Sequence, residues 1–218
     1  IIRPIFEASL QNAHFIRRLA VRSSSREDQA KAQASHQAED NEQKTFTIRT
    51  GERTKALRIL REWVSDYVSN RLVICDQYFG PGQIDALNLV QSIVPDCKIE
   101  ILSSEKHHLE ENATNLKEAY TTAWRENYDQ EIPNLQIVVA GKQDGTKRSP
   151  IHDRWWISEK SGLRLGTSFN GLGEAQSSEI GFLDESERAK KIEEVEQYLI
   201  RKDRDHDGVK VSYQTAVL

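Results

Sequence analysis

A chain of 218 residues with 30 basic and 34 acidic side chains carries a formal charge of −4. That excludes a protein coated in basic surface but leaves room for a local basic patch. Hydrophobic content of 37% suits one buried core with an extension. No run approaches the roughly 20 apolar residues of a membrane span, and no N-terminal stretch reads as a secretory signal. A cytoplasmic location is therefore expected. Cys75 and Cys97 lie in or beside apolar strand-like runs. They read as reduced core thiols rather than as a disulfide or metal ligands. The chain has no methionine and opens IIRPIF, which reads as a piece of a longer protein.

Residues 1–22 place Ile5, Phe6, Leu10, Ala13, Ile16 and Leu19 at helical spacing among several arginines. This predicts a basic helix that docks on the domain or a partner. Residues 23–44 hold no large apolar side chain and read as a linker. The compact domain is expected over 45–205, with 206–218 as a C-terminal tail that adds an edge strand or binds a partner. Inside it, 45–49 predicts a short edge strand and 54–70 a helix with Leu57, Leu60, Val64, Tyr67 and Val68 on one face. A buried strand follows at 72–75, ending at Asp76 before a Gly80-Pro81-Gly82 turn. Helix 84–94 stops at Pro95. Strand 98–102, helix 112–128 and strand 135–140 complete the alternating part. The polar loop 141–149 carries Lys142, Lys147 and Arg148. A hairpin over 153–158 and 163–167, a strand at 180–183 and an amphipathic helix over 185–201 close the domain. The inward face of that helix is expected to hold Ile192, Val195, Leu199 and Ile200. Strands separated by helices predict an α/β sandwich with a mixed, mostly parallel sheet flanked by helices. Polar residues at the carboxyl ends of such strands, here Asp76, Ser103 and Ser104, are site candidates, though turn and cap chemistry explains them as well.

The densest chemistry lies in Pro150–Glu179, PIHDRWWISEKSGLRLGTSFNGLGEAQSSE. Alternation sets His152, Arg154 and Trp156 on one face, and Arg164, Gly166 and Ser168 together across the hairpin. A neutral imidazole can attack phosphorus, and a guanidinium can fork two phosphate oxygens. Ser168 and Asn170 can stabilise charge developing on those oxygens. Glu179 can accept from the second ring nitrogen and fix the tautomer. The arrangement requires no metal or other cofactor.

These residues resemble the H-x-K-x4-D-x6-G-S-x-N signature of the phospholipase D superfamily. His152 matches the histidine, Arg154 stands at the lysine and Glu159 at the aspartate. Thr167 replaces the glycine before Ser168 and Asn170, and one extra residue lies in the turn. Ser178–Glu179 looks like the S-E pair of the small nucleases in that superfamily, whose glutamate supports the histidine. The I-H-D-R quartet is similar to the phospholipase D-like C-terminal domain of MIT-domain proteins, which bind phospholipid or partners rather than cleave. Bacterial proteins with an H-D-R motif are similar too. The resemblance spans about residues 50–185 and implies a phospholipase D-like fold. It also implies a dimer, because the superfamily's enzymes use two motifs related by a two-fold axis and this chain has one.

The leading expectation is a metal-independent phosphodiesterase, with nucleic acid preferred to lipid as substrate and a defence system as its setting. Catalytic candidates are His152, Arg154, Ser168, Asn170, Glu179 and Glu159. Substrate-binding candidates are Lys142, Lys147, Arg148, Trp156 and Arg164. Trp155 and Trp156 can stack on bases, although alternation sends one of them to the core. The rival expectation is an inactive module of the same fold that binds phospholipid head groups, nucleic acid or a protein partner. A third is a dimerisation domain of a larger complex, tethered by the N-terminal helix. Asp203, Asp205 and Asp207 before Gly208 fit the first half of a calcium loop, but Gln214 stands at its glutamate position. A solvated charged helix end is the stronger reading there. The neighbours His107 and His108 do not face one metal.

Overall fold

A computed structural model describes residues 44–105, 115–144, 149–174 and 176–218. The chain divides into two units, residues 1–43 and residues 44–218. The expected N-terminal helix and linker, Lys147, Arg148 and the two neighbouring histidines lie outside the described residues.

The strands are β1 (Thr45–Ile48), β2 (Arg71–Cys75), β3 (Lys98–Ser104), β4 (Leu135–Lys142), β5 (Trp155–Ser158), β6 (Gly162–Leu165), β7 (Ser178–Phe182), β8 (Asp205–His206) and β9 (Val209–Val217). The α-helices are α1 (Arg53–Tyr67), α2 (Ile84–Gln91), α3 (Leu116–Asn127) and α4 (Glu185–Leu199). All strands join one sheet in the order β1-β7-β6-β5-β2-β3-β4-β9-β8. Among the described strands only β2–β3 and β3–β4 pair in parallel. The remaining pairings are antiparallel. The fold is a mixed α/β layered structure, and the expectation of a mostly parallel sheet is corrected. The physical reason is burial. Every residue of β5 is buried, so its run Trp-Trp-Ile-Ser looks like a central parallel strand although it enters antiparallel.

Two cores sandwich the sheet. On one face Leu72, Ile74, Ile99, Ile101, Trp156 and Leu163 pack under α1, α2 and α3. On the other, Val73, Cys75, Leu102, Val138, Trp155 and Ile157 pack under α4 through Val195, Tyr198 and Leu199. Strand alternation in β2 and β5 feeds both. The Trp63 indole N–H donates to Ser161 Oγ at 3.0 Å, which pins α1 over the β5–β6 turn without leaving a buried donor unmet. Arg71 ties α4 to the sheet, donating to Glu100 at 2.5 Å and to Glu196 at 2.8 Å. The start of α4 is fixed by a capping box between Asp184 and Glu187. Ile200, expected inward, lies just beyond this helix and is 66% exposed.

The segment expected as a tail is part of the sheet. β9 runs beside β4 over seven paired positions from Gln136↔Val217 to Lys142↔Val211. The acidic run before it, expected chiefly as a solvated charged helix end, forms a hairpin. His206 faces Val209, and Asp207 (φ 53°) and Gly208 (φ 74°) form the two-residue turn between them. Positive φ at both central positions is the type I′ geometry that Asp-Gly favours. Asp207 also accepts from Lys142 Nζ at 2.7 Å. Among the described residues no group of three or more histidine, cysteine or acidic side chains is placed to hold a metal.

Candidate functional site

The parallel strand β2 ends at Cys75, and the next residue, Asp76, is turned into the protein and only 3% exposed. Its backbone N–H donates to Leu102 O at 3.0 Å, and its carbonyl accepts from Phe79 N at 3.0 Å. The turn therefore holds Asp76 beside the start of β5, because Cys75 and Trp155 are register partners. Its carboxylate Oδ1 accepts from Tyr78 N at 2.9 Å and from Ser168 Oγ at 3.2 Å. Arg154 Nε lies 3.5 Å from the same oxygen. The guanidinium also donates through Nε to Ser168 Oγ at 3.3 Å and through Nη1 to Gly166 O at 3.4 Å. Its Cζ lies over the Tyr78 ring, 4.9 Å from the centroid.

His152 is at the rim of this cluster. Its side chain is exposed, and its backbone carbonyl accepts from Gln77 Nε2 at 3.3 Å. Ser168 and Asn170 come from the loop after β6, whose short 3₁₀ turn is Phe169–Gly171. That loop is anchored from behind. Arg53, at the first position of α1, donates to the carbonyls of Phe169 and Leu172 and lies over the Phe169 ring at 4.4 Å. Gly173 (φ 71°) lets the chain pass against the backbone of Glu52 and Arg53, which a Cβ would strike. Asn170 Nδ2 donates to Gly82 O at 2.8 Å, linking this loop to the turn after β2.

The structure thus brings Arg154 and Ser168 together beside His152, with Asn170 on the neighbouring turn. Several other candidates lie elsewhere. Glu179 is exposed, and its neighbour Ile180 packs in the same core as Trp156. Alternation sends Glu179 to the opposite face of the sheet, and no hydrogen bond joins it to His152 among the described residues. Glu159 lies at the far end of β5, where it accepts from Ser69 Oγ at 2.9 Å. Four residues of β5 separate it from Arg154, about 3.3 Å apiece. Arg164 is exposed on β6 opposite Trp155, on the face covered by α4. Lys142 is buried and committed to Asp207, so it is not a free cation at the rim. Trp156 is 2% exposed and Trp155 5%, so neither ring offers a face to a base. Trp156, expected as a substrate-binding candidate, is packed in the core because β5 has a core on both sides.

Asp76 is the residue sequence reasoning undervalued. Its signal was its position at the carboxyl end of a parallel strand. Ser103 shared that signal but does turn chemistry, donating to Phe79 O at 2.7 Å.

Burial is the largest influence on the Asp76 carboxyl and pushes its pKa above the usual carboxylate range. The Tyr78 N–H, Arg154 and the Ser168 hydroxyl pull the other way without cancelling it. The sign follows from linkage. A raised folded pKa means that the folded state takes the proton first as pH falls. This group's contribution to stability therefore rises between the raised value and the ordinary aspartate value, and is flat below both. Urea unfolding across that window should show the wild type gaining stability relative to Asp76→Asn as pH drops. A gap that moves the other way would mean that Arg154 outweighs burial.

No family model and no curated protein matches the sequence. Several solved structures align with it. NucT from Helicobacter pylori covers 73% of this chain and 96% of its own, at 17% identity and a TM-score of 0.48. A phosphatidylserine synthase of Haemophilus influenzae covers 81% of this chain and 40% of its own, at 14% identity and 0.46. The archaeal chromatin protein TrmBL2 covers 96% of this chain and 71% of its own, at 8% identity and 0.45.

Proposed function

We propose that the protein is a phosphodiester-directed hydrolase of phospholipase D type, with nucleic acid as the favoured substrate class. The observation that carries this reading is the pairing of an exposed His152 with an Arg154 braced by Asp76, Ser168 and Tyr78. An arginine has five N–H donors. Those not given to Ser168 and Gly166 have no protein acceptor among the described residues. They form a fork suited to two phosphate oxygens.

In the proposed reaction a ring nitrogen of His152 attacks phosphorus. A P–N bond forms as the P–O bond to the leaving oxygen breaks. A protonated His152 from a second copy supplies the proton to that oxygen. The same histidine, now neutral, deprotonates water, which attacks the phosphohistidine and restores the free imidazole. One chain supplies one such histidine among its described residues, so the reaction needs a symmetric dimer with its two half-sites facing. No step calls on a metal.

A second reading is favoured by a specific observation. The charge of Arg154 is opposed by Asp76, and Glu179 does not support His152. Both features suit a module that holds a phosphodiester without turning it over.

The test is cleavage of labelled single- and double-stranded oligonucleotides by the purified full chain in excess EDTA, with sedimentation to give its oligomeric state. EDTA-resistant cleavage by a dimer is the expected result. Binding without cleavage selects the module, and a monomer that cleaves would overturn the shared site.

A further inference from the structure

We propose that Asp76 is a positioning residue that acts through Arg154, fixing the direction of the guanidinium fork and limiting how much of its charge an anion feels. The inference rests on the reading of Arg154 as a phosphate ligand given above.

Its basis is the way Oδ1 of one buried carboxylate gathers the site. Tyr78, Ser168 and Arg154 all converge on that oxygen, and Ser168 bridges to Arg154 as well. The guanidinium is held at Nε by Asp76 and Ser168 and at Nη1 by Gly166, and it lies over the Tyr78 ring. An exposed arginine side chain usually samples many rotamers, and ordering it on binding costs affinity. Here that ordering is done before the ligand arrives. The cost is electrostatic, because a carboxylate within a few ångströms of a phosphate repels it.

The plainer role for Asp76 is local. Its side chain accepts from the backbone N–H two residues on, an Asx turn that ends β2. Asparagine fills that role equally well. Asp76→Asn therefore keeps the turn while removing the charge, and separates the two roles. Placement supports the larger one. Ser168 lies 92 residues further along the chain, and a turn would not need to recruit it or Arg154.

The experiment follows the Arg154 Nε–H resonance by NMR, assigned by its loss in Arg154→Lys, while inorganic phosphate is titrated into the full chain. kcat and KM on an oligonucleotide are measured beside it. In the wild type the resonance should be resolved and should shift with phosphate. Asp76→Asn should move the resonance in the free protein and tighten phosphate binding by about tenfold, the size expected for removing one nearby charge. If the protein turns over, kcat and KM should both fall, because binding improves as alignment loosens. In an Arg154→Ala background the same substitution should change phosphate affinity less than twofold.

A resonance unmoved by Asp76→Asn, or an affinity change that persists without Arg154, overturns the proposal. The reading of the site fails separately. If phosphate leaves the wild-type resonance in place and no turnover is seen, Arg154 is not a phosphate ligand. The resonance of Asp76→Asn without ligand still decides whether Asp76 positions it.

Discussion

His152→Ala should reduce phosphodiester cleavage by at least about 10⁴-fold while leaving the protein folded, because it removes the atom proposed to bond phosphorus. The two halves of this expectation have different physical origins. The imidazole is exposed, and its ring makes no hydrogen bond among the described residues. Only its backbone carbonyl is used, by Gln77, and alanine keeps that. A surface substitution of this kind changes stability by about 0.5 kcal/mol or less. The thermal transition should therefore overlay the wild type. Oligonucleotide affinity should stay within about fivefold, since Arg154 still holds the phosphate, and a lost neutral hydrogen bond is worth about 1 kcal/mol. Cleavage within tenfold of wild type would mean that another group attacks, and the proposed mechanism would be lost. A collapse of the thermal transition would show that the histidine supports the fold instead.

Element existence was legible because each element has one strong period. Helix α1 shows it in Ala56, Leu60 and Val64 at four-residue steps, all fully buried. Sheet direction was not legible, because direction depends on which strands are neighbours. β5, β6 and β7 insert as an antiparallel block beside β2, and β9 returns antiparallel to β4. A strand buried on both faces has the same composition whichever way it runs. The tail was legible in part, since an added strand was one of its two expected roles. Asp-x-Asp-x-Asp-Gly has the letters of a calcium loop, but its last two residues make a type I′ hairpin turn, and the alternation from Val209 to Val217 was strand signal.

The site divides along similar lines. His152, Arg154 and Ser168 lie at the entry and exit of one hairpin, so local spacing could gather them. Asp76 comes from the other end of the domain in sequence, and only the β2–β5 register brings it in. Glu179 failed through parity. The motif fixes its place in the chain, but Ile180 must face the core, and this turns Glu179 to the other side of the sheet. A one-residue difference in strand phase thus decides whether a carboxylate can reach the histidine.

The same parity gives the largest expected effect on stability. Trp156→Ala should destabilise the domain by about 3–5 kcal/mol, the range for truncating a fully buried aromatic. The indole is 2% exposed and stacks on Phe169, with centroids 6.0 Å apart and planes within 13°. Phe169 in turn lies under the Arg53 guanidinium, and its carbonyl accepts from the same arginine. Trp156 therefore supports the loop that presents Ser168 and Asn170 at the site, which leaves the neighbouring strand β6. At about 2–4 °C per kcal/mol for a domain of this size, the transition should fall by roughly 10 °C. Trp156→Phe keeps an aromatic ring against Phe169 and should lose less than half as much stability. Activity of the alanine variant should fall through kcat, because Ser168 and its hydrogen bond to Arg154 are displaced with the loop. The base-stacking role makes the opposite demand. A ring whose loss leaves the thermal transition untouched and only raises KM would belong to the substrate surface, and the packing described for β5 would then be wrong.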